Sequence, residues 1–421
     1  MDVIIYRTSK RPMSSISAGG SVSIPEMISC GRKRAVARRA IISTDIYKWP
    51  GLSFDDASWL ETGRVFIGST DADTRPLKFD HLIFKDSSSN SRHCLCFALS
   101  LDGSLLAASF STNTVLIWRL SDGLLVQRLH DQGHIRSIQS VAFSPNSCHL
   151  VSGSIDKTTV VWDIKSGRAL LRLEGHRGVV QTVAYSPGGS RIATGSGDRS
   201  VKIRDASSGA YLHSLDLGEQ VYKVIFSPDG LRLVVLLDNT GAICNIQTGT
   251  CIATLQHEGS GAMRLSVSQQ GDRVITGTNS GKVKIWSAVT GEELLELQEH
   301  TDNINCVAFS LDGAEVAIAS DDCTVVTCDS WTGQRCRVYW MSTSVWSVAY
   351  SPKGDYIVMS DSDGRVRVCD RRSGVFLAEF EGHTRRVDEL QFLPDGHNLL
   401  SRSERDNTVR LWNIWDAMRL H

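Results

Sequence analysis

An all-β protein assembled from recurring four-stranded antiparallel sheets is the fold class that the sequence predicts, and three observations predict it. Thirty-five glycines and nine prolines punctuate short runs of β-branched residues, the composition of many strands joined by tight turns. Long apolar stripes at helical spacing are almost absent. Segments of the form apolar-x-apolar-X, from VLIW through TVVW, VKIR, GAIC, VKIW, VVTC and VRVC to VRLW, end at Trp118, Trp162, Arg204, Cys244, Trp286, Cys328, Cys369 and Trp412. They lie 40 to 44 residues apart and average 42, a period that marks a repeat architecture.

Two turns punctuate each unit. The first is S-x-x-G or a close variant about 20 residues before the Trp position, as in SLDG from Ser100, SPGG from Ser186, SPDG from Ser227 and LPDG from Leu393. Proline at its second place presets φ and glycine at its fourth relieves the exit, which suits a type I turn between antiparallel strands. Only the second unit, SPNS from Ser144, lacks the glycine. The second turn carries a glycine five residues after the Trp position in seven units; the eighth has Ala417 there. Between turns, the third unit reads as four strands, VVQTVAYS, RIATGS, SVKIRD and AYLHSLD. Such a sheet cannot bury its faces alone, so neighbours must stack, and closing the stack into a ring protects its ends. The expectation is an eight-bladed β-propeller, with seven blades plus one irregular unit as the alternative.

At this point the residues resemble the WD40-repeat family of β-propellers. The second unit matches most fully, with Gly133-His134 before the first strand, Ser152 in the second, Asp156 in the turn and Trp162-Asp163 on the third. The resemblance implies a hydrogen-bonded chain through His134, Ser152, Asp156 and Trp162, and a second through His383, Ser401, Asp406 and Trp412. In the third unit His176, Thr194 and Asp198 are in place, with Arg204 where Trp belongs. Units four, six and seven put cysteine there while keeping Asp238, Asp322 and Asp363 in the turn, so those blades are expected to be less firmly cross-linked. The resemblance covers residues 76–421.

The last unit lacks most of a fourth strand, and the alternating segment LKFDHLIFK, residues 77–85, is expected to supply it and so remove a free edge. Residues 51–75 read as a short docked segment. Residues 1–50 lack the repeat and carry nine Lys or Arg against three acidic residues. This basic, Ser-rich extension is expected to be a flexible solvated tail. The alternative is a nuclear-import or nucleic-acid patch through Arg32, Lys33, Arg34, Arg38 and Arg39, which would make the chain a chromatin- or RNA-associated subunit.

Chemistry is sparse. No G-x-S-x-G, H-E-x-x-H or EF-hand pattern occurs, and GTNSGKV from Gly277 departs from a phosphate loop in spacing and in its final residue. Cys94 and Cys96 alternate onto one face of a strand, but no second pair supports a metal site. Neither catalytic residue, nor metal, nor cofactor is expected. Eleven cysteines without C-x-x-C spacing, no N-glycosylation sequon and no apolar run of membrane length point to an intracellular protein, cytoplasmic or alternatively nuclear.

Specificity then falls to residues that differ between units. Resemblance to the family implies that partners meet the face bearing the loop into each first strand and the turn after each second strand. On it the sequence places Tyr222, Met263, Asp321, Trp346, Arg386, Asp388 and Arg405. Exposed aromatic, Met and Arg side chains are typical anchors; the alternative is that Tyr222 or Trp346 plugs the central channel. The reading is a non-enzymatic interaction scaffold or adaptor for protein or peptide partners, with an enzyme the less favoured alternative.

Overall fold

The computed structural model describes residues 6–7, 64–66, 76–77, 81–86, 93–130, 133–257 and 263–415. The basic cluster from Arg32 to Arg39 lies outside them. Eight antiparallel sheets follow one another along the chain. The third shows the common plan: Val180–Tyr185, Arg191–Ser196, Ser200–Asp205 and Tyr211–Asp216 pair in sequence order. The S-x-x-G segments close the first turn of each blade through a backbone bond such as Gly103 N–H to Ser100 O at 2.9 Å. Gly103 sits at φ 71°, and in the second unit Ser147 adopts φ 56° in the glycine's place, a strain that a non-glycine residue tolerates only in short stretches.

The eighth blade is completed from the other end of the sequence. Glu389–Phe392, Asn398–Ser403 and Thr408–Asn413 are its first three strands, and the outermost is His81–Phe84. Val409 faces Phe84 and Trp412 faces His81 in that ladder. The strand is shorter than the alternating stretch 77–85, because Leu77 pairs instead with Val65. The Arg64–Phe66 strand adds to the outer edge of blade seven, and Tyr6–Arg7 pairs with Leu82 and Ile83 on blade eight.

Packing closes the ring where sequence separation is greatest. Leu82, Phe84, Leu400 and Val409 of blade eight share one core cluster with Phe97, Leu106 and Trp118 of blade one. Arg402 donates to the Cys94 carbonyl at 2.9 Å across the same joint. On the lower face, the turn glycine of one blade rests on the turn proline of the blade before it. Gly189 meets Pro145, Gly230 meets Pro187, Gly271 meets Pro228, Gly396 meets Pro352, and Gly103 meets Pro394. That last contact joins blade one to blade eight. Hydroxyls zip the inner strands: Ser140 accepts from Val183 N–H, Thr182 from Val224 N–H and Ser347 from Leu390 N–H, at 3.1 to 3.3 Å.

Between blades, polar side chains form the sets that the sequence marks. In blade two the Trp162 indole N–H donates to Ser152 Oγ at 2.8 Å, His134 Nε2 lies 2.8 Å from the same oxygen, and His134 Nδ1 lies 3.0 Å from Asp156 Oδ2. An indole can only donate and a carboxylate can only accept, so Ser152 Oγ accepts from Trp162 and Asp156 accepts the Nδ1–H of His134. Blade eight repeats the chain: Trp412 to Ser401 at 2.7 Å, His383 to Ser401 at 2.6 Å and His383 to Asp406 at 2.6 Å. In blade three His176 reaches Thr194 at 2.8 Å and Asp198 at 2.9 Å. Arg204 replaces the indole by stacking 3.7 Å from the Tyr211 ring centroid and donating to the Gly209 and Glu174 carbonyls.

The other blades solve the same problem differently. His257 sits 2.7 Å from Thr276 Oγ1, which also accepts from the Trp286 indole at 2.7 Å. Blade six keeps a hydrogen bond between His300 Nδ1 and Asp322 at 2.9 Å, so it is more cross-linked than its cysteine suggests. Blade seven has no such chain. Met341, Met359 and Cys369 pack together in one apolar cluster, Asp363 is exposed, and the buried Asp361 caps the turn by accepting from Asp363 and Arg365 N–H. Replacing every partner of a buried polar chain by apolar groups costs little, whereas removing one member strands the rest.

Three outcomes follow from this frame. Deleting residues 1–90 lowers the melting temperature or abolishes soluble expression, because it removes the outer strand of blade eight with the fully buried Phe84; an unchanged melting curve contradicts the closure. In urea titrations Trp162→Ala costs about 3 to 5 kcal/mol, and Ser152→Ala about 1 to 3 kcal/mol because two buried ring nitrogens lose their shared partner. Stability also declines on acidification. Burial lowers the pKa of His176 and His383, and of His257 to about 4. These rings stay neutral in the fold while the unfolded chain protonates near pH 6.5. Stability is therefore full above about pH 6.5 and is lost as pH falls towards 4. Chemical unfolding at stepped pH reads this directly, and His257→Gln flattens part of the slope.

Candidate partner-binding surface

The loops entering each first strand and the turns after each second strand share one face, as the His134 to Asp156 bond between such a loop and turn requires. The recurring His, Ser or Thr, Asp and Trp side chains are consumed in the frame. What remains on this face differs from blade to blade.

Blades seven and eight bring four of the sequence-marked residues together or close by. The Arg386 guanidinium lies over Trp346, 3.8 Å from the ring centroid, and its Nε donates to Asp388 at 2.7 Å. Trp346 donates its indole N–H to Ser362 Oγ at 2.9 Å, and Asp388 accepts the Glu404 N–H at 2.7 Å. Arg405 follows Glu404 and is exposed. The result is a connected ridge from the turn of one blade to the turn of the next. Trp346 and Arg386 are half-buried, so each is held in place while part of its surface stays accessible. A cation held over an indole combines apolar area with fixed charge at small entropic cost.

Asp321 is placed differently. Its carboxylate accepts from Asn303 at 3.1 Å and from Asn305 at 2.6 Å, and Asn305 also donates to the Val345 carbonyl. It therefore braces the joint between blades six and seven. Tyr222 stands apart on blade four, 45% exposed. Partial desolvation and the neighbouring Asp238 carboxylate raise its pKa. Met263 opens the first strand of blade five, and its side chain lies outside the described residues.

Sequence reasoning missed Ser362 and Glu404. Ser362 precedes Asp363 as Asp321 precedes Asp322, and that shared place was the available signal. It missed His257 and His300 too: the first is one residue out of step and the second follows Glu299 where glycine stands in other units. Charge is unevenly distributed around the face. Arg136, Lys157, Arg177, Arg199, Arg385 and Arg405 are exposed on blades two, three and eight, whereas Asp238 and Asp302 are exposed on the turn of blade four and the loop into blade six.

Among the described residues no three His, Cys, Asp or Glu side chains converge as metal ligands. Gly277 to Val283 is the turn between Arg273–Thr278 and Val283–Ser287, a hairpin without a helix to face phosphate. Burial pushes the Cys94 thiol up and the Cys96 thiol up to about 12, which suits packing more than ligation. No described helix is long and apolar enough to cross a membrane.

The model of the WD domain, G-beta repeat, matches residues 125–163 and 374–413. Those stretches hold the two complete His, Ser, Asp and Trp sets. A model described as outer membrane protein assembly factor BamB matches residues 148–378, across the repeats between them. Among curated proteins, eukaryotic translation initiation factor 3 subunit I of Danio rerio is 32% identical over 155 residues, covering 34% of this chain and 47% of that protein. The Xenopus tropicalis protein of the same name is 26% identical over 328 residues, covering 74% of this chain and 90% of its own. Among solved structures, the computationally designed Ika8 protein superposes with a TM-score of 0.67 at 25% identity, covering 78% of this chain and 98% of that one. With eight four-stranded antiparallel blades in a ring and the repeat's own hydrogen-bonded side chains in place, the chain belongs to the WD40-repeat β-propeller family.

Proposed function

We propose that this protein is a non-enzymatic scaffold subunit that presents the upper face of its propeller to protein partners within a larger assembly. The observation that carries this reading is the Trp346 and Arg386 stack, fixed by Ser362 and Asp388 across two blades and only half-buried. Fold alone hosts many functions, so the argument rests on that ridge. Similarity to subunit I of a translation initiation factor supports a partner that is itself a protein of a multisubunit complex, and supports a cytoplasmic setting. The exposed cations of blades two, three and eight, set apart from Asp238 and Asp302 on blades four and six, favour a partner of matching polarity, which fixes orientation more than raw affinity. Arg405 flanks the ridge as a further contact, and Tyr222 offers a separate one on blade four.

Affinity purification of the full chain from native cells, comparing wild type with Trp346→Ala and Arg386→Ala, tests this. Each substitution weakens the captured partner by about 2 kcal/mol, roughly thirtyfold in Kd, with a small change in melting temperature. Undiminished capture by both variants overturns the assignment of the ridge. A large loss of stability for Trp346→Ala assigns that ring to the frame.

A further inference from the structure

Blade four departs from its neighbours in a way that packing does not explain. Cys244 stands at the Trp position of its third strand, Gly241–Asn245, and Cys251 is its register partner on the outer strand, Thr250–Leu255. The two sulfurs are 2.7 Å apart. Cys244 is fully buried and Cys251 is exposed. The cysteines at the same place in blades six and seven lack such a partner: Cys328 faces Arg335 and Cys369 faces Phe376.

We infer that Cys244 and Cys251 form an oxidant-reactive dithiol that closes to a disulfide across the third and outer strands of blade four. Directly opposed residues of an antiparallel pair have their Cα atoms about 4.5 to 5.5 Å apart, within the range a disulfide spans. Closure therefore needs little backbone movement. The two thiols also divide the work. Cys251 faces solvent and meets the oxidant; Cys244 lies behind it, shielded from solvent. A hydrogen bond from the Cys244 thiol lowers the Cys251 pKa to about 7 and raises that of Cys244, which supports Cys251 as the attacking thiolate.

With hydrogen peroxide as oxidant the step balances. The Cys251 thiolate sulfur attacks one peroxide oxygen, the O–O bond breaks, and the departing hydroxide recovers a proton as water, leaving a sulfenic acid. The Cys244 sulfur then attacks that sulfur, the S–O bond breaks, and hydroxide leaves with the Cys244 proton as a second water. Two thiols lose two electrons and one peroxide gains them.

The test treats the full chain with hydrogen peroxide, blocks remaining thiols with iodoacetamide and digests with trypsin. Both cysteines fall in the single peptide 233–264. The expected product is that peptide without alkyl groups and two hydrogens lighter, formed about tenfold faster than Cys148 is oxidised; that thiol is exposed and lies in the turn before the His149–Ser154 strand. In Cys244→Ser, Cys251 accumulates as a sulfenic acid that dimedone traps. In Cys251→Ser, Cys244 stays reduced. Alkylation of both cysteines at the rate of Cys148 overturns the inference, as does sulfenic acid on wild-type Cys251 without the internal disulfide.

Discussion

A four-stranded antiparallel sheet has two apolar faces and two unpaired edges, and every feature of this molecule answers that constraint. The faces are covered by neighbours, as the cluster shared by Phe84, Trp118 and Leu400 shows at the joint between blades eight and one. The edges are harder, because an exposed strand is a template for unwanted pairing. The most demanding edge is that of the final repeat, whose fourth strand is His81–Phe84, more than 300 residues away from its partner Thr408–Asn413 in the chain. That one ladder converts a linear array into a ring, with contacts of high sequence separation that the nearest-neighbour packing of a linear repeat array does not supply.

The side chains between blades show two ways of meeting the same need. Blades two and eight use a full polar chain through His, Ser, Asp and Trp. Blade seven uses Met341, Met359 and Cys369, with the three buried polar members gone together. The intermediate cases carry the cost of partial replacement. Ala108 stands where serine would, and among the described residues the buried Trp118 indole nitrogen has no hydrogen-bond partner. Ile318 leaves His300 Nε2 in the same position. Phe84 and Phe110 packed at 5.5 and 6.2 Å against Trp118 offset part of that penalty through aromatic contact.

Much of this was legible in the sequence because the Trp position recurs with a period that tolerates substitution. Arg204, Cys244 and Cys328 hold their place in the count though none is tryptophan. The closing strand was legible as an alternating stretch, but alternation does not state register, and Leu77 went to Val65 instead. The turn aspartate of blade seven misled, since Asp363 keeps its place after its histidine has become Met341. The candidate surface was half legible. Trp346 and Arg386 stand out by residue type, yet their stacking on each other depends on two blades meeting at a given distance. Asp321 looked like a free carboxylate until Asn303 and Asn305 were brought to it.

Native-state hydrogen exchange on residues 408–413 tests the ring most directly. If His81–Phe84 completes the blade, the amides on that edge exchange as slowly as those of Val283–Ser287, the matching strand of blade five. Exchange at the rate of an unpaired outer strand would contradict closure and leave the array open.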